Sequence, residues 1–183
     1  PLAHKAVEAL GIKIMTHEDY EADDLIGSTA KALESDYDIE VITGDRDLLQ
    51  LIDDKITVIL CHKGVSEMKP MTPEIFNQEY GFAPKGIIEL KALWGDTSDN
   101  IPGVPSIGEK KGMALVQQFG NIDNLYSNID KDENEKMRQK LLDGKESAEL
   151  SHFLATIVTD VKTFESNSEF NWNEANLQSE AFL

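Results

Sequence analysis

The fold is decided by the stretch Glu40-Val-Ile-Thr-Gly-Asp-Arg-Asp-Leu-Leu-Gln-Leu, residues 40–51, where an apolar run passes directly into two acids. The residues Glu40-Val-Ile-Thr predict a buried strand, and Asp47 to Ile52 predicts a helix. Asp45 and Asp47 therefore lie just beyond the carboxyl end of a strand, where open α/β sheets place their ligands. We expect this stretch to position a binding site.

Strand and helix patterns alternate around that stretch. Gly11 to Met15 and Lys55 to Cys61 predict two further strands, and Asp23 to Ser35 predicts an amphipathic helix. This β-α-β-α-β order predicts an α/β fold with a parallel sheet and right-handed crossovers. From Thr72 onward the pattern is helical, with helices predicted at Pro73 to Tyr80, Pro84 to Trp94, Glu109 to Phe119, Glu133 to Leu142 and Ala148 to Thr156.

The same pattern predicts the domain organisation. We expect residues 1–83 to form the C-terminal part of an α/β core and residues 84–160 to form a helical region. Residues 161–183 form a weakly structured tail, which Trp172 anchors to the body.

Seven acids lie in three short clusters, namely Glu21, Asp23 and Asp24, then Asp45 and Asp47, then Asp96 and Asp99. Acids gathered in one pocket repel each other by about 4 kcal/mol per pair at 4 Å and an effective dielectric near 20. Such a pocket would be stabilised by divalent cations, and Mg²⁺ is the ion that oxygen ligands of this kind typically bind. Glu21 and Asp24 are three residues apart at a predicted helix start, so they can share one face.

A plainer interpretation is that these acids cap helices and build turns. Acids are common at helix starts, and Asp45 could cap the following helix. Asp96 and Asp99 stand beside Gly95 and Pro102, which are typical of turns. Each cap or turn needs only one acid, however, whereas every cluster supplies two or three, and this favours the cation site.

Composition indicates a single soluble, intracellular domain. The chain has 183 residues, 40% of them hydrophobic, and no apolar run long enough to cross a bilayer. Cys61 is the single cysteine, which excludes an internal disulfide and fits a reducing compartment. The four histidines are scattered without ligand spacing, and we find no Ser, Cys or His placed as a nucleophile. We expect a cytoplasmic monomer without membrane partners.

The net charge of −17 argues at first against a nucleic-acid partner, since duplex binding relies on Lys and Arg. The distribution of this charge along the chain weakens that argument. Residues 1–83 carry −10, residues 84–145 carry −1 and residues 146–183 carry −6, so the middle segment alone tolerates a polyanion. Bound metal would also offset the clustered acids.

A glycine- and proline-rich turn follows the third acid cluster. It runs Asn100-Ile-Pro-Gly-Val-Pro-Ser-Ile-Gly, and Glu109 then opens a predicted helix. Free N–H groups at that helix start, with Lys110 and Lys111, could hold a phosphate. Residues 103–120 carry a charge of +1, which favours this interpretation over an ordinary loop with two solvated lysines. Such a hairpin would bind a phosphate backbone rather than read bases.

Three motifs resemble the structure-specific 5′-nuclease family, which includes the 5′→3′ exonuclease domain of bacterial DNA polymerase I and its free-standing relatives. They are Tyr-Glu-Ala-Asp-Asp-Leu-Ile-Gly at residues 20–27, Thr-Gly-Asp-Arg-Asp-Leu-Leu-Gln-Leu at 43–51, and Lys-Ala-Leu-Trp-Gly-Asp-Thr-Ser-Asp-Asn-Ile-Pro-Gly-Val-Pro at 91–105. The resemblance covers residues 1–160, in order. It implies a Mg²⁺-dependent 5′→3′ exonuclease and 5′-flap endonuclease of DNA replication and repair. Its substrates would be flapped, nicked or branched duplexes in the bacterial nucleoid.

The resemblance also implies roles for particular residues. Glu21, Asp23 and Asp24 correspond to ligands of a first metal, and Asp45, Asp47, Asp96 and Asp99 to ligands around a second. Catalysis would rest on Asp24, Asp45, Asp47, Asp96 and Asp99, with Mn²⁺ able to replace Mg²⁺. Residues 103–120 correspond to a helix-three-turn-helix that binds duplex DNA and K⁺, here through Gly103, Val104, Ser106, Ile107, Gly108, Lys110 and Lys111.

The chain departs from the family pattern in three ways. Ser106 stands where glycine is usual, and Lys111-Gly112 replaces a common Thr-Ala pair, which affects the hairpin and the K⁺ site. Only twenty residues precede Glu21, so the family's upstream aspartates and basic helical arch have no counterpart here. We therefore expect a piece of a longer nuclease that is weakly active or inactive by itself.

Two other functions stay open on the sequence alone. A phosphatase of the haloacid dehalogenase type also places Asp-x-Asp after a strand, but it would leave Glu21, Asp23 and Asp24 unexplained. A non-catalytic DNA-binding remnant would retain the acids without using them.

Overall fold

The computed structural model describes residues 2–62, 66–131 and 134–171, which separate into two units. Pro1–Tyr37 and Val158–Leu183 make up one unit, and Asp38–Ile157 makes up the other. The helices within the described residues are α1 (Leu2–Ala9), α2 (Ala22–Leu33), α3 (Pro73–Tyr80), α4 (Gly86–Trp94), α5 (Glu109–Phe119), α6 (Ile122–Ser127), α7 (Glu135–Asp143) and α8 (Lys145–Ala155). The strands are β1 (Ile39–Thr43), β2 (Ile56–Cys61) and β3 (Met68–Met71), and 3-10 helices cover Asp47–Leu51, Ile129–Lys131 and Asn167–Phe170. No helix in this part of the chain combines the length and apolarity that a membrane crossing requires.

The sheet is mixed rather than wholly parallel. Strands β1 and β2 pair in parallel, from Ile39 opposite Ile56 to Thr43 opposite Leu60. Their connection, residues 44–55, contains the 3-10 helix and is long enough for a crossover. Strand β3 pairs with β2 antiparallel, because the connection from 62 to 67 is too short for a parallel return. The α/β class predicted from the sequence is confirmed, with this correction to the strand directions.

The strand predicted at Gly11 to Met15 is wrong. Helix α1 ends at this point, where Gly11 takes a φ of +67° and the Ile12 N–H donates to the Val7 carbonyl at 3.1 Å. The residues that follow are not in a β ladder with any described strand. The Lys13 side chain pairs with Glu169 instead, and its Nζ lies 4.9 Å from the ring centre of Phe170. An alternating pattern shows that a strand would fit, but not whether a pairing strand is available.

Helix α2 and the segment after α8 are tied together by side-chain hydrogen bonds. Ser28 Oγ donates to the Val158 carbonyl at 3.2 Å and accepts from the Val161 N–H at 3.0 Å. Thr29 and Thr163 join their hydroxyls at 2.9 Å. Residues 161–171, expected to be weakly structured, thus include a 3-10 helix and specific contacts. Trp172 and the rest of the predicted tail lie outside the described residues, and the proposed domain division stays a prediction.

Helix α4 is the centre of the larger unit. It packs against α8, α5 and the 3-10 helix Asp47–Leu51, and its Leu90, Ala92 and Leu93 are buried. Immediately beyond its end, Asp96 and Ile101 exchange two backbone hydrogen bonds of 2.9 and 2.7 Å. The packing of α4 therefore determines where the loop of residues 96–101 lies relative to the end of β1.

The turn before α5 is closely packed. Gly103 takes a φ of +62°, its N–H donates to Ser151 Oγ at 2.9 Å, and its carbonyl accepts from Ser147 Oγ at 2.6 Å. A Cβ at this position would collide with the backbone of Trp94 and Gly95. The turn consequently has a fixed position between the end of α4 and helix α8.

We predict that Gly103→Ala lowers the free energy of unfolding by about 3 kcal/mol, because it combines a left-handed φ with a backbone clash. Urea unfolding measures this. Gly108→Ala is the matched control, since a Cβ there meets no atom within 4 Å, and it should cost about 1 kcal/mol or less. Equal losses in the two variants would contradict the packing described for the turn.

Candidate metal centre

Two loops of the larger unit carry the second and third acid clusters. Asp45 and Asp47 follow β1, and Asp47 begins the 3-10 helix. Asp96 and Asp99 follow α4 in the loop held by the Asp96–Ile101 bridge. Four acids predicted as ligands are therefore presented from the segments that follow β1 and α4.

One acid in each of these loops also builds a turn. Asp45 Oδ1 accepts the Asp47 N–H at 2.9 Å. Asp96 Oδ1 accepts the Ser98 N–H at 2.9 Å and the Ser98 hydroxyl as well. The turn interpretation of the sequence thus holds for Asp96, whereas Asp45, expected to cap the helix, forms a turn while Arg46 is the cap residue. Neither interpretation explains Asp47 or Asp99.

Asp47, Asp96 and Asp99 converge on one point. Each offers a carboxylate oxygen that lies within 4.8 Å of the other two, as the ligands of one metal ion would. Lys91 Nζ contacts all three, lying 2.8 Å from Asp96 and 3.3 Å from Asp99 and in close contact with Asp47. Lys91 and these three carboxylates form a single charged cluster, which we call the Lys91 cluster.

Burial and pairing shift the pKa values of this cluster. Burial would lower the pKa of Lys91, but its hydrogen bonds to Asp47 and Asp96 outweigh burial and raise that pKa. Burial would likewise raise the pKa of Asp96, but hydrogen bonds from Lys91 and Ser98 lower it to about 2. Burial raises the pKa of Asp47, because its effect is larger than the lowering effect of the hydrogen bond from Lys91. Lys91 is therefore a protonated counter-ion at neutral pH.

The Lys91 cluster forms one wall of a cavity of about 350 Å³. Asp45 lies on the same cavity, and Tyr80, Leu90 and Trp94 supply an apolar wall. The side chain of Asp99 is 52% exposed, so the acids are open to solvent on this side. A hydrated cation could enter from there.

The first acid cluster lies in the other unit, at the start of α2. Asp24 accepts the Glu21 N–H at 3.2 Å through Oδ2 and the Val158 N–H at 2.8 Å through Oδ1. Both oxygens of Asp24 therefore already have a structural hydrogen bond. Glu21 is exposed and Asp23 is half-buried. The cap interpretation holds for Asp24, and the metal role of this cluster stays a prediction.

The predicted phosphate-binding hairpin ends at the start of α5. Gly108 is the residue before the helix, and no side chain caps the helix start. Lys110 and Lys111 are exposed in the first turn, and neither forms an ion pair with another described residue. Ser106, which replaces the expected glycine, takes a φ of +68°, a conformation that glycine adopts more readily. The hairpin thus keeps a glycine-like backbone at Ser106.

Sequence reasoning missed Lys91. It is 9% exposed on the helix Gly-Ile-Ile-Glu-Leu-Lys-Ala-Leu-Trp, whose neighbouring residues Leu90, Ala92 and Leu93 are buried. A lysine inside such an apolar helix, five residues before an acid cluster, was the available signal. Long charged side chains are rarely buried without a partner.

Two family models match the chain. The "5'-3' exonuclease, N-terminal resolvase-like domain" matches residues 1–81, and the "5'-3' exonuclease, C-terminal SAM fold" matches residues 82–178. Because the second match alone covers more than half of the sequence, the chain belongs to the 5′-3′ exonuclease family. The resemblance drawn from the acid motifs is confirmed.

Curated relatives agree with this assignment. The chain is 43% identical over 162 residues to DNA polymerase I of Lactococcus lactis, covering 87% of this chain and 18% of the polymerase. It is 41% identical over 165 residues to a 5′-3′ exonuclease of Mycoplasma pneumoniae, covering 88% of this chain and 56% of that protein. The chain thus spans about a fifth of the polymerase and about half of the smaller exonuclease.

Solved structures show the same fold. A phage T5 5′-exonuclease with bound divalent metal ions (zinc) superposes with a TM-score of 0.68 at 26% identity, covering 81% of this chain and 54% of that one. A phage T5 flap endonuclease in a pseudo-enzyme-product complex with DNA and metal ions superposes with a TM-score of 0.63 at 26% identity, covering 79% and 51%.

We predict a pH-dependent effect for Asp96→Asn. The folded pKa of Asp96 is about 2 against an ordinary 3.8, so its stabilisation is fully present above pH 3.8 and is lost as the pH falls through 2. In metal-free buffer at pH 6, the free energy of unfolding of the unsubstituted protein should be about 2 kcal/mol higher than that of Asp96→Asn. This difference should become smaller as the pH falls towards 2. Urea unfolding at several pH values measures it. A difference that does not change with pH would contradict the ion pair with Lys91.

Proposed function

We propose that this chain is the metal-binding and DNA-binding part of a 5′→3′ exonuclease and 5′-flap endonuclease that hydrolyses DNA phosphodiesters with two Mg²⁺ ions. The observation that carries the proposal is the convergence of Asp47, Asp96 and Asp99 within 4.8 Å of one another. Family membership and the metal-bound T5 structure support it.

Each of the two units would supply the ligands of one metal ion. Asp45, Asp47, Asp96 and Asp99 would hold one Mg²⁺, and Glu21, Asp23 and Asp24 would hold the other. Bound Mg²⁺ would supply a low-pKa water and neutralise the charge of the phosphate. Mn²⁺ would serve in its place.

The chain's own groups would arrange the substrate around that centre. The exposed side chain of Asp99 lies at the open side of the cavity, where a phosphate and its water could enter. The half-buried Asp47 would shield its ligand oxygen from part of the competing water. No protein nucleophile is needed, since water attacks the phosphorus.

The hairpin would hold duplex DNA by its backbone. Lys110 and Lys111 and the N–H groups at the start of α5 would contact phosphates, and backbone carbonyls of Gly103, Val104, Ser106, Ile107 and Gly108 would hold K⁺. The Gly103 carbonyl already accepts Ser147 Oγ, and the Gly108 carbonyl accepts two N–H groups, that of Lys111 at 3.0 Å and that of Gly112 at 2.9 Å. A carbonyl has two lone pairs, so the Gly103 carbonyl keeps one for an ion, whereas the Gly108 carbonyl would have to release an N–H group first.

The substrates would be flapped, nicked or branched duplexes in the bacterial nucleoid, and the protein would act there as a cytoplasmic monomer. The T5 flap endonuclease complex with DNA supports a DNA partner. The haloacid-dehalogenase alternative has no support from the family matches. A DNA-binding remnant remains the alternative that experiment must distinguish.

We predict slow, Mg²⁺-dependent cleavage of a 5′-labelled flap substrate under single-turnover conditions. Asp99→Asn should reduce the rate by about tenfold or more, because it removes a solvent-accessible ligand while leaving Asp47 and Asp96 paired with Lys91. Asp54→Asn is the control, since Asp54 is exposed on a different loop and should leave the rate unchanged.

Two other experimental outcomes would indicate a different function. Turnover of p-nitrophenyl phosphate would indicate a phosphatase. Absence of cleavage, combined with calorimetric Mn²⁺ binding no tighter than in Asp99→Asn, would indicate a remnant.

A second prediction concerns the hairpin. The double variant Lys110→Ala/Lys111→Ala should weaken duplex binding and lower the slope of log K against log salt by about 2, since each phosphate contact contributes about 0.9. Fluorescence anisotropy at several salt concentrations measures it. Lys136→Ala/Lys140→Ala, on the exposed face of α7, makes the same change in net charge. Equal effects of the two pairs would mean that net charge alone controls binding.

A further inference from the structure

The structure places a lysine ammonium at the centre of the cluster that would receive a metal ion. Lys91 is 9% exposed, and its Nζ is bound to one carboxylate oxygen of each of Asp47, Asp96 and Asp99. Carboxylate groups gathered this closely repel each other strongly. The ammonium supplies the positive charge that allows them to share the pocket.

The ammonium and a metal ion would need the same space. The three ligand oxygens lie within 4.8 Å of one another, and Nζ is within hydrogen-bond distance of all three or close to it. A Mg²⁺ ion binds oxygens at about 2.1 Å. An ion bound to these oxygens would therefore lie against Nζ, and two cations in contact repel strongly in a half-buried site.

We propose that Lys91 is a built-in counter-cation that competes with the divalent ion for Asp47, Asp96 and Asp99. This inference rests on the proposed metal site and describes its regulation. In the metal-free protein Lys91 holds the three carboxylates together. When the divalent ion binds, the ammonium withdraws into the adjoining cavity, which is about 350 Å³ in volume.

The chemistry of lysine suits this exchange. Its ammonium is a compact charge on a flexible four-carbon stem, so it can leave the carboxylates without a change in the backbone of α4. The cavity beside it is lined by Asp45 and Glu109 as well as by Arg46, and it opens to solvent near Asp99. The displaced ammonium therefore stays solvated, and the two further acids offset the repulsion from Arg46.

The competition also gives selectivity by charge. A monovalent ion brings no more charge than the ammonium it would replace, whereas a divalent ion brings twice as much. Lys91 therefore keeps K⁺ and Na⁺ out of the cluster and admits Mg²⁺ or Mn²⁺. It lowers the affinity for the divalent ion as a consequence.

The decisive experiment is Mn²⁺ calorimetry on the whole chain and two variants. Lys91→Met removes the ammonium but keeps an unbranched side chain, and we expect it to bind Mn²⁺ about tenfold tighter. Lys85→Met is the matched control, because Lys85 is an exposed lysine at the start of the same helix, and it should change the affinity by less than about twofold. In EDTA, Lys91→Met should melt below both other proteins, and saturating Mn²⁺ should raise its Tm the most.

An unchanged or weaker Mn²⁺ affinity in Lys91→Met would overturn the inference and leave the proposed metal site standing. Absence of Mn²⁺ binding in every protein, the unsubstituted chain included, would overturn both. The two failures are therefore distinguishable.

A second measurement uses the unsubstituted protein and does not depend on how the variant folds. The buried, hydrogen-bonded ammonium of Lys91 should give a slowly exchanging ¹⁵N–¹H signal in metal-free buffer. Saturating Mg²⁺ should shift or remove that signal, while 150 mM K⁺ should not. A signal that stays unchanged at saturating Mg²⁺ would show that Lys91 remains on the carboxylates, and would overturn the inference.

Discussion

Like charges cannot share a small pocket without a cation between them, and the larger unit is organised around this constraint. Asp47, Asp96 and Asp99 come from two loops that are far apart in the sequence, and Lys91 joins them from helix α4. The cluster exists because α4 packs on the 3-10 helix that carries Asp47 and leads directly into the loop that carries Asp96 and Asp99, which the Asp96–Ile101 bridge holds. The hydrophobic packing of α4 thus supports an electrostatic site.

The helices were largely predictable from the sequence, because their start and stop signals are local. Helix α3 was predicted at Pro73 to Tyr80 and has these bounds, with Thr72 capping its start and Gly81 ending it at a φ of +76°. Helix α5 likewise agrees with its predicted range. The strands were less predictable, because pairing depends on distant residues. Gly11 to Met15 has a strand-like pattern without a ladder, and the pairing of β3 with β2 could not be read from Met68 to Met71, which contains a proline.

The acids of the site were predictable because they are clustered and follow a strand or a helix. The sequence could not show which of them would converge. Asp96 divides its oxygens between a turn and the Lys91 cluster, whereas Asp45 uses one oxygen in a turn and lines the cavity without joining the three converging acids. Asp24 uses both oxygens to hold backbone N–H groups. Lys91 was not predicted, since its role appears only when α4 is placed against the two loops. Ser106 is informative in a different way, because its φ of +68° explains why glycine is the expected residue there.

The most direct test is the anomalous diffraction of a crystal grown with Mn²⁺. The account predicts a manganese peak bounded by carboxylate oxygens of Asp47, Asp96 and Asp99, at distances of about 2.2 Å or one water further away. The Lys91 ammonium should have moved away from at least two of these oxygens. A crystal at saturating Mn²⁺ with no peak at the cluster, and with Lys91 still on all three carboxylates, would contradict it.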